Sequence, residues 1–121
     1  MKTKIYLIQF AILIFISGCV QPESTVSSLG GNNSPIIDNV LVDPISINVG
    51  TTATIKVSAR DPDGDQLNYS WFSSLGDIIG SGPEVRYTAA FCCVGINTIT
   101  VTVSDTKGAK TSKDILIEIN P

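Results

Sequence analysis

Thr52–Arg60 reads TATIKVSAR, nine residues in which Ala53, Ile55, Val57 and Ala59 share one parity and Thr52, Thr54, Lys56, Ser58 and Arg60 the other. Successive side chains of an extended chain point to opposite faces, so a period of two with one apolar face describes a half-buried antiparallel strand. The same texture extends outward in both directions. Ile36–Val42 and a second short piece, Ile45–Val49, precede it, divided at Pro44. After it, Leu67, Tyr69 and Trp71 alternate, a short Ile78-Ile79 segment sits between Gly76 and Gly80, and Val85 and Tyr87 follow. Ile99, Val101 and Val103, then Ile115, Ile117 and Ile119, complete the series. Gly, Pro, Asn and Asp punctuate these runs, and helical periodicity is nowhere sustained. About seven short strands and no helix predict an all-β fold, a two-sheet sandwich, with Trp71 as a core anchor.

The N-terminus has a different grammar. Lys2 and Lys4 precede Ile5–Ile16, an apolar stretch interrupted by Gln9, and Ser17-Gly18-Cys19 closes it. A basic region, an apolar region and a small-residue cleavage site form the layout of an export signal. The apolar stretch falls short of the roughly 20 residues a spanning helix needs. Ile16-Ser17-Gly18-Cys19 resembles the lipobox of prokaryotic lipoproteins, which implies a signal peptide over 1–18 and acylation of Cys19, for example by palmitate. Val20–Ser34 (VQPESTVSSLGGNNS) follows neither period and reads as a flexible tether. A coil of that length spans roughly 20 Å on average. The expected division is therefore signal peptide 1–18, lipidated cysteine and tether 19–34, and sandwich 35–121.

Composition narrows the function classes. The chain carries a formal charge of −3, and loss of Lys2 and Lys4 leaves six basic against eleven acidic residues, a balance of −5. Phosphate binding needs clustered Lys and Arg, so nucleic acid is not expected as a partner. Histidine is absent, which removes the commonest general base and the commonest neutral metal ligand.

DPDGDQLNYSWF at Asp61–Phe72, YTAA at Tyr87–Ala90, GINTITVTVSDTKGAK at Gly95–Lys110 and ILIEI at Ile115–Ile119 together resemble the PKD-like, Ig-like modules of bacterial and archaeal surface proteins. The resemblance implies an Ig-like sandwich serving as a spacer, an adhesion module, or a carbohydrate or protein contact. It places Trp71 where such sandwiches bury a tryptophan, and Val57 and Val101 where antibody domains carry their bridge. Asn97 stands where relatives often carry an aromatic residue that locks a corner.

Two constellations have chemical potential. Asp61-Pro62-Asp63-Gly64-Asp65 gathers three carboxylates on one turn, and Asp105 opens another turn that a sandwich places at the same end. Such hard oxygen donors suit calcium, which takes six to eight oxygens. An EF-hand-type loop would need Gly where Gln66 stands and a carboxylate where Phe72 stands. The favoured reading is a type I turn led by Asp61, with Pro62 second and Gly64 fourth, and a calcium site at Asp61, Asp63, Asp65 and Asp105 is the alternative. Cys92-Cys93 lies at the opposite end. Adjacent Cα atoms stand closer than a relaxed disulfide prefers, which leaves three outcomes: a strained vicinal ring, a cross-link to another exported protein, or two free thiols. No cation nearby in sequence stabilises a thiolate, which favours inert thiols over a redox role. Thr98, Thr100 and Thr102 share a strand face and read as an ordinary wet surface.

The sequence thus predicts a lipid-anchored, extracytoplasmic Ig-like module, not an enzyme, acting in protein interaction or as a structural spacer. The alternative is a calcium-dependent adhesion or carbohydrate-binding module. No cofactor is required, and calcium is the metal its donors would take. The expected partners are the membrane through the anchor and an envelope protein or surface polysaccharide. The expected location is the cell envelope: the outer membrane of a two-membrane bacterium, because Val20 is not the aspartate that retains many lipoproteins inside, or otherwise the external face of the cell membrane.

Overall fold

The computed structural model describes residues 30–121. The export signal, Cys19 and most of the tether lie outside the described residues. Eight strands form: β1 (Ile36–Asp43), β2 (Ser46–Asn48), β3 (Thr52–Arg60), β4 (Leu67–Ser73), β5 (Asp77–Ile79), β6 (Glu84–Thr88), β7 (Gly95–Asp105) and β8 (Lys110–Asn120). They make two four-stranded sheets, ordered β1-β3-β6-β5 and β2-β8-β7-β4. All pairings are antiparallel except β2 with β8. The chain crosses from the first sheet to the second at Asp43–Pro44, whose peptide is cis.

Alternation sets what each strand buries. β3 turns Ala53, Ile55 and Val57 inward, β6 Val85 and Tyr87, β7 Ile99, Val101 and Val103, and β8 Ile115, Ile117 and Ile119, and these fill the space between the sheets. β-branched residues dominate this list because their restricted χ1 suits an extended, half-buried surface. Val57 and Val101 both lie in the core, as the resemblance implies.

Trp71 departs from expectation. It packs against the core but is only half-buried, and its Nε1 donates to the Gly82 carbonyl at 3.0 Å. The reason is sheet order, because β4 is an edge strand with β7 as its single paired neighbour among the described residues. A second departure concerns the tether. Asn32 and Asn33, read as flexible coil, are hydrogen-bonded to the domain, Pro35 is buried, and Thr111 Oγ1 donates to the Pro35 carbonyl.

Candidate functional site

The inward parity of β7 starts at Asn97 and ends at Asp105, so two polar residues sit at the two ends of an otherwise apolar row. Both are almost fully buried, at 4% and 5% exposure, and each must therefore find partners. Asn97 Nδ2 donates to Tyr87 Oη at 2.9 Å, and that hydroxyl donates to the Leu75 carbonyl at 2.8 Å. Tyr87 and Asn97 together thus tie β6, β7 and the β4–β5 loop.

At the other end, Asp105 Oδ1 accepts from the backbone N–H of Lys107 at 2.8 Å and of Ala109 at 2.9 Å, while Oδ2 accepts from Asn32 Nδ2. Burial pushes the Asp105 carboxyl up, but the hydrogen bonds from Asn32, Ala109 and Lys107 outweigh it and hold the carboxyl below its usual range. The facing turn behaves as its sequence suggests. Asp61 Oδ1 accepts from the N–H of Asp63 at 2.8 Å and of Asp65 at 3.1 Å, and Gly64 N–H donates to the Asp61 carbonyl at 3.2 Å.

The two turns bring one carboxylate oxygen each from Asp61, Asp65 and Asp105 within 4.8 Å of one another. Asp63 does not join them. It faces outward and accepts from Asn33, at 2.7 Å from the backbone N–H and 3.0 Å from the side chain, and these bonds lower its pKa. Asp61 Oδ2 and Asp65 Oδ2 are shielded from solvent and accept no hydrogen bond from a described residue. Asp65 Oδ2 is met instead by the Lys107 ammonium at 3.0 Å, an ion pair that raises the lysine pKa. The cluster is therefore a set of converging hard oxygens partly neutralised by one cation. Asp61 Oδ2 is thus a solvent-shielded acceptor with no hydrogen-bond partner among the described residues.

The opposite end is apolar. Phe91, 83% exposed, lies over Gly50, whose left-handed φ of 74° and missing Cβ admit the ring: a Cβ there would stand 2.6 Å from Phe91 Cζ. Cys92 and Cys93 are joined in a vicinal disulfide, the outcome that the favoured free-thiol reading set aside. Thr98, Thr100 and Thr102 line the outer face of the second sheet, where Thr100 Oγ1 donates to Asp114 Oδ1 at 2.7 Å and Thr102 pairs with Ser112 at 2.7 Å. Phe72, Ile96 and Leu116 are exposed on the same sheet.

The sequence matches the Bacterial Ig domain family over residues 32–118. The chain belongs to that family. The match begins at Asn32, the first residue seen clasping the acidic end. The domain is 38% identical over 81 residues to chitinase A of Pseudoalteromonas piscicida, a stretch that is 66% of this chain and 10% of the relative. The chain thus spans about a tenth of the length of that curated relative. Among solved structures, the PKD domain of an M14-like peptidase from a Thermoplasmatales archaeon matches with a TM-score of 0.60 at 21% identity, covering 75% of this chain and 100% of that one. The PKD1 domain of Vibrio anguillarum Epp matches with a TM-score of 0.56 at 21% identity, covering 74% and 98%. These likenesses establish the fold, a PKD-like Ig sandwich.

Proposed function

We propose that this chain is a lipid-anchored, extracytoplasmic Ig-like module that acts as a structural spacer or protein-interaction unit at the cell envelope, without a catalytic step. The observation that carries the reading is the clasp of Asn32 and Asn33 on the acidic end. With an anchor at Cys19, the chain would reach the domain at the Asp63–Asp105 end, and the Phe91 end would be the tip farthest from the anchor. An eleven-residue strand such as β7 rises roughly 35 Å, which is the reach the sandwich adds to the tether. In a two-membrane bacterium the outer membrane remains the preferred site. Membrane fractionation of cells making the chain and a Cys19→Ser variant tests it. Loss of the variant from the membrane fraction is expected; unchanged partitioning overturns the anchor.

A second reading, calcium-dependent adhesion or carbohydrate binding, is favoured by the orphan oxygen of Asp61 and by a chitinase among the relatives. Asp61, Asp65 and Asp105 would hold the ion, with the side-chain carbonyl of Asn32 available after rotation of its amide. Calcium would rigidify the acidic end and fix the direction in which the N-terminal segment leaves it. Lys107 competes for Asp65, so Lys107→Met should bind calcium more tightly than the parent chain. At a hundredfold excess over the dissociation constant, binding to the folded form stabilises it by about 2.7 kcal/mol. Thermal unfolding in millimolar calcium and in chelator, with Asp61→Asn as control, decides: equal midpoints for the parent chain and for Lys107→Met would remove this reading. Retention on chitin with and without calcium tests the carbohydrate branch.

A further inference from the structure

We infer that the free edge of β4 pairs antiparallel with β4 of a second copy of this chain. Each sheet ends in two strands with a single neighbour, and three of these four edges carry features that discourage strand addition. β1 has Asp38 and Asp43 and a register shift between Ile37 and Asn39; β2 and β5 have three residues each. β4 has none of them. Its seven residues, LNYSWFS, include no charge and no proline, and its register with β7 runs unbroken from Leu67 to Ser73. No backbone hydrogen bond joins its other side to a described residue.

The sequence of this edge suits its own copy. A twofold axis through Ser70 uses the whole strand, setting Leu67 against Ser73, Asn68 against Phe72 and Tyr69 against Trp71 of the other copy. On the inner face, Tyr69 and Trp71 are half-buried in one copy, and the pairing lays each against its aromatic counterpart twice. On the outer face, Phe72, 66% exposed, falls beside Asn68, with the two Ser70 residues at the axis. A twofold axis brings every residue near it close to its own equivalent, so a charged edge would repel itself. In an acidic chain, β4 is the long edge where two copies approach without that cost. The product is one continuous eight-stranded sheet, isologous and closed. This specifies the partner of the interaction reading and depends neither on the anchor nor on calcium.

Residues 30–121, which contain all eight strands and the core, are examined by sedimentation velocity from about 10 μM to about 1 mM. A concentration-dependent passage from monomer to dimer is expected, and Ser70→Lys, which sets two ammonium groups at the axis, should raise the dissociation constant at least tenfold. Directly opposed Cβ atoms lie about 4.5 to 5.5 Å apart, close to disulfide reach. Ser70→Cys should therefore give an oxidised, covalent dimer that neither the parent chain nor Ser112→Cys, on the outer face of β8, gives. A chain that stays monomeric at about 1 mM, or a dimer that Ser70→Lys leaves unchanged, overturns the proposal while leaving the anchored-spacer reading intact.

Discussion

Tyr87→Phe removes one oxygen from the corner between β6, β7 and the β4–β5 loop and tests whether that corner is held as described. Tyr87 is fully buried, and its hydroxyl is both the acceptor for Asn97 Nδ2 and the donor to the Leu75 carbonyl. A buried donor stripped of its partner costs about 1 to 3 kcal/mol, and the Asn97 amide has that fate because Asn97 is itself buried. The Leu75 carbonyl lies on a partly exposed loop and recovers water, so it adds little. The expected loss is about 2 kcal/mol, or roughly 8 to 16 °C in midpoint for a domain of this size. Trp71 is the sole tryptophan and contacts the core, so urea unfolding followed by its fluorescence reads the change directly. The sharper test is the pair. Asn97→Val removes the stranded donor, so the double variant should be no less stable than Tyr87→Phe alone, with a coupling of about 1 kcal/mol. A loss under about 0.5 kcal/mol for Tyr87→Phe, or strict additivity of the two changes, would refute the network as a stabilising unit.

Gly76 has a φ of 83°, and a Cβ there would meet the Thr88 carbonyl oxygen at 2.5 Å and Tyr87 Oη at 2.7 Å, so Gly76→Ala should cost about 1 to 3 kcal/mol in the same urea assay. The hydrogen bonds from Asn33 depress the Asp63 pKa, which stabilises the fold above the unfolded carboxylate value near ~3.9 and is lost as pH falls through the lower folded value. Asp63→Ala should accordingly flatten the acid limb of a stability-versus-pH curve measured below about pH 4. Lys107 has the opposite sign: its pKa is raised by Asp65, so its contribution is complete below the unfolded lysine value and disappears as pH rises through the folded one, and Lys107→Met should flatten the alkaline limb. The Cys92–Cys93 bond joins neighbours in sequence and closes no long loop, so reduction should move the thermal midpoint by less than about 2 °C while maleimide labelling reports two new thiols.

Parity explains why the sheets were legible and the ends were not. A period of two is imposed by the backbone, so the inward residues of β3, β6, β7 and β8 could be read off the sequence directly. Carried to the limits of β7, the same parity points inward at Asn97 and Asp105, and a polar residue in an inward phase is a signal that it must be bonded. Applied to Asn97, that signal calls for a buried partner, and the structure supplies it in the Tyr87 hydroxyl of the facing sheet. Parity says nothing about which strands are edges. Trp71 therefore reads as a core anchor although β4 has a single neighbour.

Within the turn at Asp61–Asp65 alternation fails altogether. Asp61 folds its carboxylate back onto two amides of the turn, and Asp63 is released outward to Asn33 while Asp65 turns in toward Asp105. Three aspartates at equal spacing thus acquire three environments from one turn. Asn32 and Asn33 escape a composition argument for a related reason: they bury little apolar surface and are held by hydrogen bonds to carboxylates 73 and 30 residues away. The sandwich is common to the family, and the features of this chain that a sandwich does not require include its two ends and the unpaired edge of β4. On the proposed reading, the acidic end, clasped by its own N-terminal segment, would set how the module is mounted, while the uncharged edge and the Phe91 tip would set what it meets. The two sets adjoin where Leu67 pairs with Asp105, but Ser70 lies three residues further along β4, roughly 10 Å away. Substitutions at Asp61, Asp65 or Asn32 should therefore alter mounting and ion dependence without touching the pairing of Ser70, and Ser70→Lys should do the reverse.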